Sequence, residues 1–87
     1  MSNDKIRKLL DELTAELKST DLDSETGQAM QKLNEDIREL LSAPEKSPQQ
    51  PSVMEQAQQL EVRFATEHPV AERLIQEVID ILSKLGI

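Results

Sequence analysis

The residue best suited to chemistry in this sequence is His68, its only histidine. Because His68 follows Glu67, the pair could serve as acid and base in catalysis, or His68 could bind a ligand. Pro69 supports a different interpretation, since proline disfavours helical geometry in the residue before it and suits the first position of a new helix. We therefore expect His68 to stand between two helices, as the N-cap of the second, rather than to catalyse a reaction.

Three acidic residues near the start of the chain alternate as in a calcium-binding loop: Asp21, Asp23 and Glu25. The sixth position of such a loop requires glycine, and the twelfth requires a bidentate glutamate. This chain has Thr26 and Lys32 at those positions. We therefore predict no calcium site and interpret the segment as a capping turn, with a helix that starts near Asp23.

A second acidic cluster, formed by Glu35, Asp36 and Glu39, would share a divalent ion if its carboxylates converged. The dinuclear metal sites of four-helix bundles use Glu-x-x-His motifs, and no histidine stands in register with this cluster. The pattern favours a solvated acidic face. We predict no metal and no cofactor, and we expect the acidity to help a basic partner approach.

The remaining composition excludes several kinds of enzyme site. Without cysteine the chain has no disulfide, no thiolate zinc site and no cysteine nucleophile. Its two glycines are too few for a phosphate-binding loop, and no serine stands in a nucleophile-elbow motif. We therefore predict that the protein is not an enzyme.

The charge of the chain bears on its partners and its location. The net charge of −7 argues against nucleic acid and anionic membranes, because both attract basic surfaces. No apolar run is long enough to cross a membrane, and the N-terminal stretch contains no targeting signal. These features predict a cytoplasmic protein that binds neither nucleic acid nor a membrane.

Apolar residues recur at helical spacing in four stretches of the chain. On a helical wheel the first three sets form narrow stripes, whereas the fourth fills half of the circumference. The four sets are Ile6, Leu9, Leu10, Leu13 and Leu17; Met30, Leu33, Ile37, Leu40 and Leu41; Val53, Ala57, Leu60 and Phe64; and Val70, Ala71, Leu74, Ile75, Val78, Ile79, Ile81, Leu82 and Leu85.

These patterns predict an all-α fold that forms one helical domain over residues 1–87. Two antiparallel helical hairpins, at about residues 3–42 and 52–86, would pack as a four-helix bundle. The Pro-rich stretch 43–51 joins them as a linker. The sequence leaves open whether this linker is also a docking segment.

The wide stripe of the last helix cannot be covered by one neighbouring helix. Either this helix is the hub of the bundle, with the other helices docking along its two flanks, or a second copy of the protein shares its excess apolar surface. A chain of 87 residues buries a limited share of its surface, which favours a homodimer. We expect Ile75, Ile79 and Leu82 to form the partner-binding face.

Two stretches of the chain also resemble a known family: "LLDELTAELKSTDLDSETGQAMQKLNEDIRELL" and "FATEHPVAERLIQEVIDILSKLGI". Together they are similar to a family of short bacterial proteins catalogued as domain of unknown function 4404. Its members likewise begin with a leucine-rich helix and end in a phenylalanine, His-Pro, aliphatic helix and Gly-Ile pattern. The resemblance implies a bacterial cytoplasmic protein, and it supplies no activity and no site residues.

Two functions remain open from the sequence. The first is a non-enzymatic helical interaction or structural module that self-associates, with a homodimer favoured and an unidentified protein partner allowed. The alternative is an accessory subunit that contributes an acidic face or His68 to the site of a partner enzyme.

Overall fold

Four α-helices account for most of the described part of the chain, which in this computed structural model comprises residues 2–20, 22–42 and 53–86. Helix α1 is Ser2–Lys18, α2 is Ser24–Ser42, α3 is Val53–Glu67 and α4 is Pro69–Lys84. No residue in these ranges belongs to a strand. The predicted all-α fold of two helical hairpins is confirmed, whereas the linker 43–51 lies outside the described residues.

The four apolar stripes meet in one core. Their central residues are buried, and Leu40, Leu41, Leu74 and Ile79 are partly buried against them. The core consists of Ile6, Leu9, Leu10, Leu13, Leu17, Met30, Leu33, Ile37, Val53, Ala57, Leu60, Phe64, Ala71, Ile75, Val78, Ile81 and Leu82. Apolar periodicity therefore assigned the inner face of each helix correctly.

The helices follow one another around the bundle in the order α1, α4, α3, α2. Helix α4 lies between α1 and α3, while α2 packs against α3 and only lightly against α1. The hub prediction is therefore correct for α1 and α3 and wrong for α2, which lies diagonally across the core from α4. The edge between α1 and α2 is the loosest edge of the bundle.

The wide apolar face of α4 is covered largely by the chain itself. Ile75 and Leu82 are both 0 % exposed, and Ile79 is partly buried. The exposed apolar residues of this stripe lie at its two ends, where Val70 is 53 % exposed and Leu85, which follows α4, is 39 % exposed. Of the two coverings that the sequence allows, the structure contains the intramolecular one.

Residues at the helix ends fix the boundaries. The carboxylate of Asp23 accepts a hydrogen bond of 3.1 Å from the backbone N–H of Thr26, which makes Asp23 the N-cap of α2. At the other end of the chain Gly86 has a φ of 82°, a left-handed conformation that suits glycine after a helix. Its N–H donates to the carbonyl of Ser83 at 3.1 Å and closes the last turn of α4.

Candidate binding site at the helix junctions

Two connections lie at the same end of the bundle, here called the junction end. One is the α1–α2 connection, residues 19–23, and the other is His68 between α3 and α4. Residues from both connections line one common cleft, and Arg63 in the last turns of α3 contacts Glu25 at the start of α2. The opposite end carries the start of α1 and the end of α4, where Lys5 and Lys84 share a smaller cleft.

His68 has the role at the junction that its sequence position predicts. Its N–H donates to the carbonyl of Phe64 at 2.8 Å, and its carbonyl accepts from the N–H of Glu72 at 2.8 Å. His68 is the N-cap of α4, with Pro69 at the first helical position, but its side chain makes no capping hydrogen bond. The imidazole instead packs edge-on against the Phe64 ring, with 5.9 Å between the ring centroids.

A cleft of about 500 Å³ with mostly polar lining residues opens beside His68, and it is here called the polar cleft. Inside it Arg63 donates to the Glu25 carboxylate at 2.6 Å and to the Thr26 hydroxyl at 3.2 Å. The hydrogen bond from Arg63 to Glu25 raises the pKa of the guanidinium above its ordinary value. The cleft is lined by Leu22, Asp23, Thr26, Arg63, Thr66, Glu67 and His68.

The balance of charge in the polar cleft is negative. The hydrogen bonds from Thr26 lower the pKa of Asp23, so this carboxylate stays ionised at neutral pH. Glu67 is an exposed second carboxylate. The charge of Arg63 is already compensated by Glu25, which leaves the cleft suited to a cation.

A second cleft of about 330 Å³, here called the apolar cleft, lies between α1 and α2. Its walls include the buried side chains of Leu17 and Met30, which are only 6 % and 5 % exposed. Leu22 lines both clefts, so the apolar and polar clefts adjoin. The lining of the apolar cleft is Thr14, Leu17, Lys18, Leu22, Gly27, Met30, Gln31 and Asn34.

Small and polar residues keep the α1–α2 edge open. The Thr14 hydroxyl bonds back to the carbonyl of Leu10 in its own helix at 2.8 Å, so it does not reach across to α2. A Cβ built on Gly27 would meet no atom within 4 Å, which shows open space beside this glycine. One ion pair bridges the edge, at 2.7 Å between Arg38 and Asp11.

The apolar cleft was not predicted from the sequence. One signal was available, because Gly27 stands inside a helix without a turn or a positive φ that requires glycine. A glycine in a helix interior weakens the helix and often leaves room for a neighbouring element or a ligand to approach the backbone. Here the room lies between two helices.

The partner-binding residues predicted from the sequence lie elsewhere. Ile75, Ile79 and Leu82 line neither cleft of the junction end. Ile75 and Leu82 have no exposed surface in the single chain. A partner that contacts them would have to displace one of the chain's own helices.

The second acidic cluster also differs from its prediction. Asp36 is not on a solvated face, because it accepts hydrogen bonds from Gln56 of α3 at 2.8 Å and from Lys32 at 2.9 Å. Burial acts to raise the pKa of Asp36, but these two hydrogen bonds outweigh it and lower the pKa below its ordinary value. Glu35 and Glu39 are exposed, as expected. The described residues contain no group of three or more acidic or histidine side chains that could hold a metal ion.

A search of the described helices for a membrane span found none that is both long and apolar enough. Comparison with known proteins gives one family. The family model described as "Domain of unknown function (DUF4404)" matches residues 6–87. No curated protein and no solved structure matches the chain.

Proposed function

The chain belongs to the DUF4404 family, and we propose that it is a non-enzymatic helical interaction module that binds a protein partner at its junction end. The apolar cleft carries this proposal. It is an open cleft between two helices with an apolar wall and a polar rim, and it adjoins a charged cleft through Leu22. An apolar centre beside charged groups is the usual layout of a protein-binding surface.

The charged groups nearby support binding rather than catalysis. Arg63 is engaged by Glu25 and Thr26, and Asp23 caps α2 through the backbone of Thr26. These contacts hold the start of α2 against the end of α3. They give the polar cleft a fixed charge pattern, which is what a partner with complementary charge recognises.

Site-specific photo-crosslinking in cells tests this function. A photoreactive phenylalanine at Gln31, on the rim of the apolar cleft, should give a discrete crosslinked product with a partner protein. The same residue at Gln58, exposed on α3, is the control and should give none. The product at position 31 should disappear when Gly27→Leu fills the cleft. Equal products at both positions, or a product unaffected by Gly27→Leu, would contradict the proposal.

Self-association, predicted from the sequence, remains a prediction. Because Ile75 and Leu82 are fully covered, a second copy that uses the α4 stripe would have to contact its exposed ends at Val70 and Leu85. Light scattering after size exclusion measures the mass directly. A dimer mass that returns to the 9.8 kDa of the chain in Val70→Glu would support this face, and a monomer at all concentrations would refute self-association.

The second candidate is an accessory subunit that presents His68 or an acidic face to a partner enzyme. It is supported by the position of His68 on the wall of the polar cleft, half-buried and held by Phe64. His68→Asn tests it, because asparagine is a good N-cap and should keep the stability within about 1 kcal/mol. Loss of a partner's activity with the fold intact would favour this candidate, and full activity would eliminate the role of His68.

The cellular setting is part of the proposal. The resemblance to a bacterial family supports a bacterial protein, and the absence of cysteine from the sequence fits a reducing compartment such as the cytoplasm. Fractionation of cells that produce the tagged chain tests the location. We expect the protein in the cytoplasmic fraction.

A further inference from the structure

We infer that the junction end binds a basic amphipathic helix of another protein, with apolar side chains in the apolar cleft and a lysine or arginine in the polar cleft. This inference rests on the proposed function and specifies the partner. It is carried by the shape of the apolar cleft, by the charges of the polar cleft, and by the position of the chain's own segments.

The apolar cleft has the length that a helix face requires. Its α2 wall runs from Gly27 to Asn34, two helical turns or about 10 Å. Two apolar side chains one turn apart on a partner helix would fill this length, as in other grooves that bind amphipathic helices. The space beside Gly27 lets such a helix approach the backbone of α2.

The polar cleft sets the sign of the partner's charge. Its described lining contains the carboxylates of Asp23 and Glu67, while Glu25 neutralises the charge of Arg63. A lysine or arginine next to the partner's apolar side chains would therefore meet negative charge. The net charge of −7 acts in the same direction over longer distances. Lys18 on the rim of the apolar cleft is exposed, and its long side chain can point toward solvent.

We assign the occupant to another molecule, because the described helix ends that flank the stretch 43–52 lie far from the junction end. The stretch 43–52 is attached to the end of α2 and the start of α3, about 27 Å along α2 from the junction end. Ser2 at the start of α1 and Lys84 at the end of α4 lie at that same opposite end. A second copy is disfavoured as the occupant of this site, because its net charge of −7 does not match a negatively charged cleft.

Three synthetic helical peptides of about 14 residues test the inference. Each has leucines at two positions one turn apart, flanked by lysine, glutamine or glutamate respectively. Fluorescence anisotropy with the full chain should show tightest binding for the lysine peptide and at least roughly tenfold weaker binding for the glutamate peptide. Binding of the lysine peptide should also weaken as salt is added. Equal affinity for the three peptides would overturn the basic partner but would leave the crosslinking test of the cleft unaffected.

Two pairs of variants locate the binding. Gly27→Leu should fill the cleft and weaken binding of the lysine peptide by a factor of roughly ten or more. Gln28→Leu introduces the same side chain at an exposed position and should leave this binding unchanged. Glu67→Gln should weaken it about threefold, the size of an exposed charge pair, whereas Glu77→Gln on the outer face of α4 should have no effect. Circular dichroism confirms that each variant is folded. Equal effects within either pair would overturn the assigned position.

Discussion

Two edges of the bundle join helices whose connection lies at the junction end, and these two edges are built differently. At the α3–α4 edge, one residue separates the helices, and Gln76 donates to Glu61 across it at 3.0 Å. At the α1–α2 edge, residues 19–23 connect the helices, the helices touch only lightly, and the apolar cleft lies between them. The tight edge therefore belongs to the scaffold, and the loose edge has room for another molecule.

The difference between the edges shows how a small bundle can keep all four helices anchored while one edge stays open. Helix α1 is held mainly by α4, and α2 is held mainly by α3, so the α1–α2 edge can stay open while both helices remain anchored. Thr14 and Asn34 on this edge bond within their own helices, and Asn34 accepts from Arg38 at 2.8 Å, while Arg38 also reaches across to Asp11. Binding sites are often found where local packing is least complete.

The largest predicted effect compares the same substitution in the core and at the cleft. Leu82→Ala removes a fully covered side chain of α4 and should lower the free energy of unfolding by about 4 kcal/mol. Leu17→Ala should lower it by about 2 kcal/mol, because its side chain already borders open space and leaves no closed cavity. Urea denaturation measures both. A loss at Leu17 equal to that at Leu82 would mean that the α1–α2 edge is closed.

The next effect concerns acid. Asp36 joins α2 to α3 through Gln56, and hydrogen bonds hold its pKa below the ordinary 3.8. A carboxylate with a lowered folded-state pKa stabilises the protein above its unfolded-state pKa and loses that contribution as the pH falls through the folded value. Stability should therefore be steady from pH 7 to about 5 and decline below 3.8. The stability of the Asp36→Asn variant, measured by denaturation, should decline less over the same pH range. If the variant and the original chain lose the same stability in acid, the bond between Asp36 and Gln56 contributes nothing.

A smaller change of opposite sign is expected inside the cleft. Gly27→Ala should raise the free energy of unfolding by about 0.5–1 kcal/mol, because alanine favours the helix and its methyl group meets open space. Thermal or urea unfolding measures the gain. Destabilisation would show that α1 packs directly on Gly27 and would remove the cleft.

The smallest effect should come from the ion pair that bridges the loose edge. Asp11 is largely exposed, and its partner Arg38 is about one-third exposed, so solvent screens their attraction. Asp11→Asn should change the unfolding free energy by less than about 0.5 kcal/mol. A larger loss in the same urea experiment would mean that this pair holds α1 and α2 together.

Apolar periodicity was sufficient to predict the four helices and their inner faces, because burial of one face is what forms each helix. The capping preferences of single residues predicted the helix ends at Asp23, His68 and Gly86, because a cap depends only on residues close in the chain. Periodicity gives the width of an apolar stripe, however, and not the neighbour that covers it. The sequence therefore could not decide whether the chain itself or a second copy covers Ile75 and Leu82.

The candidate site was harder to predict for a related reason. The clefts depend on the spacing between neighbouring helices. At the apolar cleft this spacing depends on which side chains border the α1–α2 edge, among them Thr14, Gly27 and Asn34. None of these residues belongs to a recognisable motif. The gap that they leave becomes visible only when the two helices are placed side by side. His68 was recognised as a junction residue, but its position on a cleft wall depends on Arg63 of α3 and on Asp23 in the α1–α2 connection.

The most direct test of a partner site at the junction end is a nuclear magnetic resonance titration of the labelled chain with the lysine-flanked peptide. The signals that shift should belong to Leu17, Leu22, Met30 and the residues around His68, which surround both clefts. Signals of Ile79 on α4 and of Leu85 just after it should stay in place. Shifts confined to α4, with Leu17 and Met30 unmoved, would contradict the junction end as the binding site.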